Sequence, residues 1–203
     1  MTNFKLGLAL VLVGACGSSN DKAVSSDEEA RRAYLGLDHS IETAIGLGFD
    51  GFNAASSANI AAQMGPGLGA GTLTVTGQVD QGSSSNKGMR LHVGMVGYSD
   101  GPFAINTAGD EITIVYDTPA DATLQPALDM QLKNIPTGTL AGTLTGTYLM
   151  TDGLEGEATV TLTFMGSLRA VGTTGVERVP GSTHVTGTVA STGNGIFNVD
   201  VTL

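Results

Sequence analysis

The sequence predicts a mainly β fold with an N-terminal helical segment: a strongly curved, antiparallel, up-and-down sheet or incomplete barrel of eight to nine strands, covered by an amphipathic helix. Three observations carry this. Beyond Gly71, apolar and polar residues alternate with period two, as in strands buried on one face only. Short turn clusters separate these runs, which favours antiparallel neighbours over crossover connections. Ahead of them, residues 30–45 place apolar side chains at steps of three and four, one stripe of a helix. A sheet with a single apolar face curls on itself or is covered by a helix. A β-sandwich of the same strands is the second arrangement.

The helix begins at Ser26. Ser26 and Glu29 have capping-box spacing, and Asp27, Glu28 and Glu29 fill the first turn, where the helix dipole favours negative charge. Ala30, Ala33, Tyr34, Leu37, Ile41, Ala44 and Ile45 form the stripe, with Arg31, Arg32 and Glu42 mostly off it. Gly46, Gly48 and Gly51 interrupt the pattern, and Asn53 is placed to cap a second short helix over Ala54–Met64, stopped by Gly65 and Pro66. The expectation is a helical segment 26–64, a Gly/Pro linker 65–71, and a β domain 72–203 packed with 26–64 as one unit.

The strands follow in order. Leu73, Val75 and Val79 share a face opposite Thr72, Thr74 and Thr76. Leu91, Val93 and Met95 repeat the pattern, then Ile112, Ile114 and Tyr116, then Leu128, Met130 and Leu132. The longest run, Leu140 to Met150, is followed by Ala158 to Phe164, then Val185 to Val189, then Phe197 to Leu203. Gly142, Gly146, Gly166 and Gly187 interrupt these strands, as at bends or close backbone approaches. Threonines recur on the polar face, where they are good strand formers. A threonine array for a crystalline surface needs a regular lattice, and the uneven strand spacing counts against one.

The first sixteen residues have a different character. Lys5 precedes an apolar run from Leu6 to Val13, then come the small residues Gly14 and Ala15, then Cys16, the only cysteine. In kind, order and spacing this resembles a bacterial lipoprotein signal with its lipobox. The apolar run is far short of the roughly 20 residues a spanning helix needs. An ordinary secretory signal has the same regions, but not a cysteine directly after the small residues. The resemblance implies a signal peptide 1–15, cleavage between Ala15 and Cys16, a diacylglyceryl thioether on Cys16 and acylation of the new amine. Three acyl chains exceed the two signals that stable anchoring takes. Gly17, where aspartate marks inner-membrane retention in enteric lipoproteins, implies an outer-membrane lipoprotein of the cell envelope, with the periplasmic face expected rather than the cell surface. Residues 16–25 then read as the lipidated cysteine and a small, polar, flexible tether.

The net charge is −10 over 203 residues, and loss of Lys5 makes the mature chain one unit more negative. That balance excludes a nucleic-acid partner, which needs a basic footprint, and argues against the domain lying flat on anionic lipid. With one cysteine no internal disulfide forms, so the core itself must hold the fold.

No catalytic set emerges, and a non-enzyme without cofactor or metal is expected. His39, His92 and His184 have no ligand-like spacing. Asp110-Glu111 and Glu155-x-Glu157 are the nearest carboxylate pairs, but they sit beside turns rather than in a cleft that shifts one pKa. Asp50-Gly51-x-Asn53 is only a fragment of a calcium loop. The methionines stand out. Met95, Met130 and Met150 continue the apolar faces of their strands, Met89 shares that parity, and Tyr148 lies on the same side. Methionine adapts to irregular apolar partners, so these five are the candidate lining of an apolar ligand cavity, against the alternative of ordinary core. Met165 has the wrong parity for either.

The reading is therefore a lipid-anchored envelope lipoprotein of structural or protein-interaction role, held to the membrane by acyl chains on Cys16, with other envelope proteins as partners. Two alternatives stand beside it: a periplasmic carrier of lipid or another apolar ligand between sheet and helix, and an outer-membrane β-barrel, for which aromatic content of 5 % without tryptophan is too low to build two girdles.

Overall fold

The computed structural model describes residues 22–172 and 175–203. Helix α1 (Asp27–Leu35) starts where the capping pattern places it. The Ser26 hydroxyl accepts from the Glu29 N–H at 3.2 Å, and the Glu29 carboxylate accepts from the Ser25 N–H at 2.8 Å. Gly36 and Leu37 bend the chain into α2 (Asp38–Ala54). The predicted helical segment 26–64 is thus correct only to Ala54. Asn53 lies in the last turn of α2 and caps nothing, and residues 59–66 form strand β1 (Asn59–Pro66). The reason is pairing: an isolated helix of about eleven residues is marginal, whereas β1 gains a full ladder against β2 (Ala70–Val79). Pro66 is tolerated because β1 is an edge strand. Of the expected linker 65–71, only residues 67–69 form the tight β1–β2 connection; the rest belongs to the two strands.

The remaining strands are β3 (Lys87–Ser99), β4 (Phe103–Ala104), β5 (Glu111–Ile112), β6 (Ile114–Asp117), β7 (Ala127–Lys133), β8 (Thr139–Asp152), β9 (Gly156–Val171), β10 (Gly175–Arg178), β11 (His184–Ser191) and β12 (Gly195–Thr202). Ten of the twelve form one antiparallel sheet, ordered β1-β2-β3-β6-β8-β9-β11-β12. Strands β6 and β7 share one place between β3 and β8, and β10 and β11 share one place beside β9. The small pair β4–β5 stands apart. The meander is therefore up-and-down, with eight places across the sheet.

Among the described residues the edge strands β1 and β12 do not pair with each other. The helices occupy that opening. Helix α1 packs on β12, while α2 reaches β1, β2 and β10. The Asn198 N–H of β12 donates to the Asp27 carboxylate at 2.7 Å, which covers part of an otherwise open edge. The sheet is thus an incomplete barrel whose apolar side is filled by a helical pair.

The filling is dense. Ala30, Ala33, Tyr34, Leu37, Ile41, Ala44 and Ile45 of the helical stripe pack against Leu73, Val75, Leu91, Leu128, Leu144, Val160, Leu162 and Val185 of the sheet, all buried. Two glycines set close approaches. A Cβ on Gly51 of α2 would lie 2.8 Å from Ile60 of β1, and one on Gly142 of β8 would lie 2.6 Å from the Phe164 ring. Phe164 pairs directly with Gly142 across the β8–β9 ladder, so the ring covers the bare backbone.

All four tyrosines are buried. Tyr34 donates to the Asp38 carboxylate at 2.5 Å, Tyr98 to Asp100 at 2.7 Å and Tyr116 to the Ala33 carbonyl at 2.8 Å. The Tyr148 hydroxyl is buried without a partner among the described residues, its ring edge-on to Tyr116 at 6.0 Å. Burial raises the hydroxyl pKa of all four. An unpaired buried hydroxyl carries a desolvation cost with no compensating bond. Tyr148→Phe is therefore expected to leave stability unchanged or raise it by up to about 1 kcal/mol, read by urea unfolding. Tyr116→Phe, which leaves the Ala33 carbonyl unpaired, should destabilise by about 1 kcal/mol or more.

Candidate functional site

The lipidation residue Cys16 and the cleavage residue Ala15 lie outside the described residues. What is described is where the chain enters the domain. The expected tether 16–25 is too long at its end, because residues 22–25 belong to the folded body. Val24 is fully buried and Ala23 nearly so. The Glu155 N–H donates to the Lys22 carbonyl at 2.9 Å. The Lys22 ammonium donates to the Asp152 carbonyl at 3.0 Å and pairs with the Glu155 carboxylate at 3.1 Å. The polar composition of 17–25 hides this, since only Ala23-Val24 is apolar and two residues show no periodicity.

The candidate ligand lining is brought together, but as packed core. Met89, Met95, Met130, Met150 and Tyr148 are each at most 2 % exposed. Met89 touches α2, where a Cβ on Gly48 would lie 3.0 Å from its sulfur. Met130 pairs with Met89 on one side and Gly142 on the other. Met165, with the opposite parity, is 64 % exposed on the outer face.

The outer face of the sheet is polar and more regular than the sequence spacing suggests. Register places Thr143, Thr163 and Thr186 in one row across β8, β9 and β11, with Thr145, Thr161 and Thr188 in the next. Thr147 and Thr159 begin a third, their hydroxyls 2.8 Å apart, and Thr163 and Thr186 are 3.2 Å apart. The uneven strand spacing read from the sequence is thus corrected over these three strands: strand length varies, but the turns restore the alignment. Such cross-strand threonine pairs stabilise a sheet by roughly 0.2–1 kcal/mol each.

A polar clasp joins helix to sheet. Arg178 of β10 makes a two-pronged bond to Asp38, Nη1–Oδ1 2.8 Å and Nη2–Oδ2 2.9 Å, while its Nε reaches Glu42 at 3.1 Å. Burial opposes the Arg178 charge, but Asp38 and Glu42 outweigh it and hold its pKa above the ordinary value. A cleft of about 390 Å³ opens beside the clasp, with His39, Arg169, Glu177 and Thr183 on its walls. Every guanidinium nitrogen of Arg178 is already bonded to the helix, so the cluster serves as a strap. A second fastening was not foreseen: buried Lys87 stands 4.3 Å from the centre of the Phe52 ring in α2 and donates to the Gly82 carbonyl.

The other expected polar groups are dispersed. His184 pairs with Asp200 at 2.8 Å on the surface, and among the described residues the buried Nδ1 of His92 has no partner. Asp110 accepts from the Asn106 amide, Glu155 is taken by Lys22, and Asp50, Gly51 and Asn53 lie in α2 rather than in a loop. Among the described residues no three His, Cys, Asp or Glu side chains stand together as metal ligands, and no helix is long and apolar enough to cross a membrane.

One carboxylate is strongly perturbed. Arg31 and then Arg32, bonded to Glu28 at 2.7 and 2.9 Å, lower its pKa from 4.5 to about 2 against a smaller opposing effect of burial. The group is charged in the fold at pH values where the unfolded chain has taken up a proton. Its contribution is therefore fully present above pH 4.5 and is lost as pH falls towards 2. Glu28 is nearly half exposed, so the effect is at most about 1 kcal/mol after screening. Thermal melts of wild type and Glu28→Gln should converge between pH 4.5 and 2 and differ above that window.

Comparison with known protein families, with curated proteins and with solved structures finds no match to this chain.

Proposed function

We infer that this is a lipid-anchored protein of the bacterial cell envelope, held to the membrane through acyl chains on Cys16, with a non-enzymatic structural or protein-interaction role. The observation that carries the reading is the run Leu6–Val13, Gly14, Ala15, Cys16. Its position supports the reading further: Lys22, the first described residue, is already fastened to the β8–β9 turn, six residues from the anchored one. A body that owes its membrane affinity to lipid needs no apolar exterior, and the outer rows of threonine are consistent with that.

The carrier alternative asks for space between sheet and helices. The methionines that would line such a space are buried, with Met89 against Gly48 of α2 and paired with Met130 across the β3–β7 ladder, which favours the interaction role. The outer-membrane barrel asks for a closed sheet with an apolar exterior. Here the apolar side faces the helices, while Thr143, Thr145, Thr161, Thr163 and Asp129 face outward.

Metabolic labelling with an alkyne analogue of palmitate tests the proposal. Label on the wild-type protein in the membrane fraction is expected. An unlabelled protein released to the soluble fraction contradicts it.

A further inference from the structure

We propose that the domain stands on its membrane with one defined end down, the end formed by the β1–β2, β8–β9 and β11–β12 turns. The inference rests on the lipoprotein reading and adds the surface that faces the lipid.

The argument is one of chain length. Lys22 is fastened to the β8–β9 turn by three bonds, two from its ammonium to Asp152 and Glu155 and one from the Glu155 N–H to its carbonyl. Burial of Val24 holds the next turn of chain in place. From Cys16 to Lys22 are six residue steps, which fully extended span about 20 Å. The point where the chain leaves the domain therefore cannot rise further than that above the lipid. Strand β8 has 14 residues, a contour of about 45 Å, so the two ends of the tilted sheet lie ~30 Å apart. A domain lying inverted would need a tether longer than the one it has.

Register names the down-facing end. Ala70 pairs with Ser99, Ile114 with Asp152, Met150 with Gly156 and Ser191 with Ala158, so turns 67–69, 152–155 and 192–194 lie together with the loop 100–110. The charge of this end is negative. Segment 99–117 carries Asp100, Asp110, Glu111 and Asp117 with no lysine or arginine, and segment 149–157 adds Asp152, Glu155 and Glu157; Lys22 on Glu155 and Arg31 against the Ile105 carbonyl offset only part of this. Lys87, Lys133, Arg169 and Arg178 belong to the other end. The short tether holds this end near the bilayer against the repulsion of its acidic loops by anionic headgroups. The threonine rows are then turned sideways, open to partners in the surrounding compartment.

The experiment uses the full-length acylated protein in phosphatidylethanolamine vesicles containing a headgroup-spin-labelled lipid. With Cys16 blocked as a thioether, a single new thiol can be labelled: Thr192→Cys on the proposed lower end, or Ser83→Cys in the β2–β3 loop of the upper end, both exposed sites. Fluorescence from position 192 should be quenched at least about twofold more than from position 83, given the ~30 Å between ends. A Gly/Ser insertion that triples the tether between Ser18 and Ser19 should shrink that difference. Equal or reversed quenching in membrane-bound, acylated protein overturns the orientation and leaves the lipoprotein reading standing. A difference that survives the insertion unchanged overturns the tether as its cause. A wild-type Cys16 that reacts with the thiol dye overturns the lipoprotein reading itself.

Discussion

Ile41→Asp leaves the protein without a stable fold. Ile41 sits on α2 at 1 % exposure, in the middle of the stripe that fills the concave side of the sheet. Removing its side chain forfeits about 2–3 kcal/mol of apolar burial. The carboxylate that replaces it sits on the buried stripe among apolar core residues, and an unpaired charge there costs several kcal/mol more. The sum is comparable with the whole stability of a domain, about 5–15 kcal/mol. The variant should bind an apolar dye, lose near-ultraviolet dichroism and be digested rapidly by protease. Gly46→Ala, one turn further along the same helix, is the control. Its Cβ would meet nothing within 4 Å, so alanine should stabilise α2 by about 0.5–1 kcal/mol through helix propensity. Opposite signs at neighbouring positions of one helix would show that contact with the sheet, rather than helix formation as such, holds the two layers together. Near-equal stability of the two variants would mean that α2 does not carry the core.

Cys16→Ser is the second large effect, and it falls on location rather than on stability. The substitution removes the only thiol and with it every acyl chain the proposal places on the protein. A single acyl chain gives only marginal binding, and loss of all of them leaves nothing to hold an acidic body near lipid. Expressed behind an ordinary secretory signal in place of residues 1–15, so that no apolar segment is retained, the protein should shift from the membrane fraction to the soluble fraction. Its melting temperature should match wild type, since the buried core of the described residues is left unchanged. Retention of Cys16→Ser in membranes at the wild-type level would place the membrane affinity elsewhere in the chain.

The fold class, the helical cover and the inward side of most strands could be read from the sequence because each rests on a period sustained over many residues. The long runs Leu140 to Met150 and Ala158 to Phe164 became β8 and β9 with the expected faces buried. Short elements could not be read. Strand β10 has four residues and β4 and β5 two each, too few for an alternation to show. Strand β1 read as helix because alanine, glutamine and methionine favour helices locally, while its real partner, β2, lies beyond a turn. Register was also hidden, and with it the alignment of threonines on β8, β9 and β11. The candidate site divides the same way. The lipobox is a local motif and stands out in sequence, whereas the fastening of Lys22 to Glu155 and the strap from Arg178 to Asp38 join residues far apart in the chain.

Mass spectrometry of the N-terminal tryptic peptide from membrane-extracted protein tests the central claim most directly. The nearest cleavage sites are Lys5 and Lys22. The account predicts a peptide that begins at Cys16, ends at Lys22 and carries a diacylglyceryl group on sulfur with an acyl group on the amine. A peptide running from Leu6 to Lys22 with a free Cys16 thiol would contradict it.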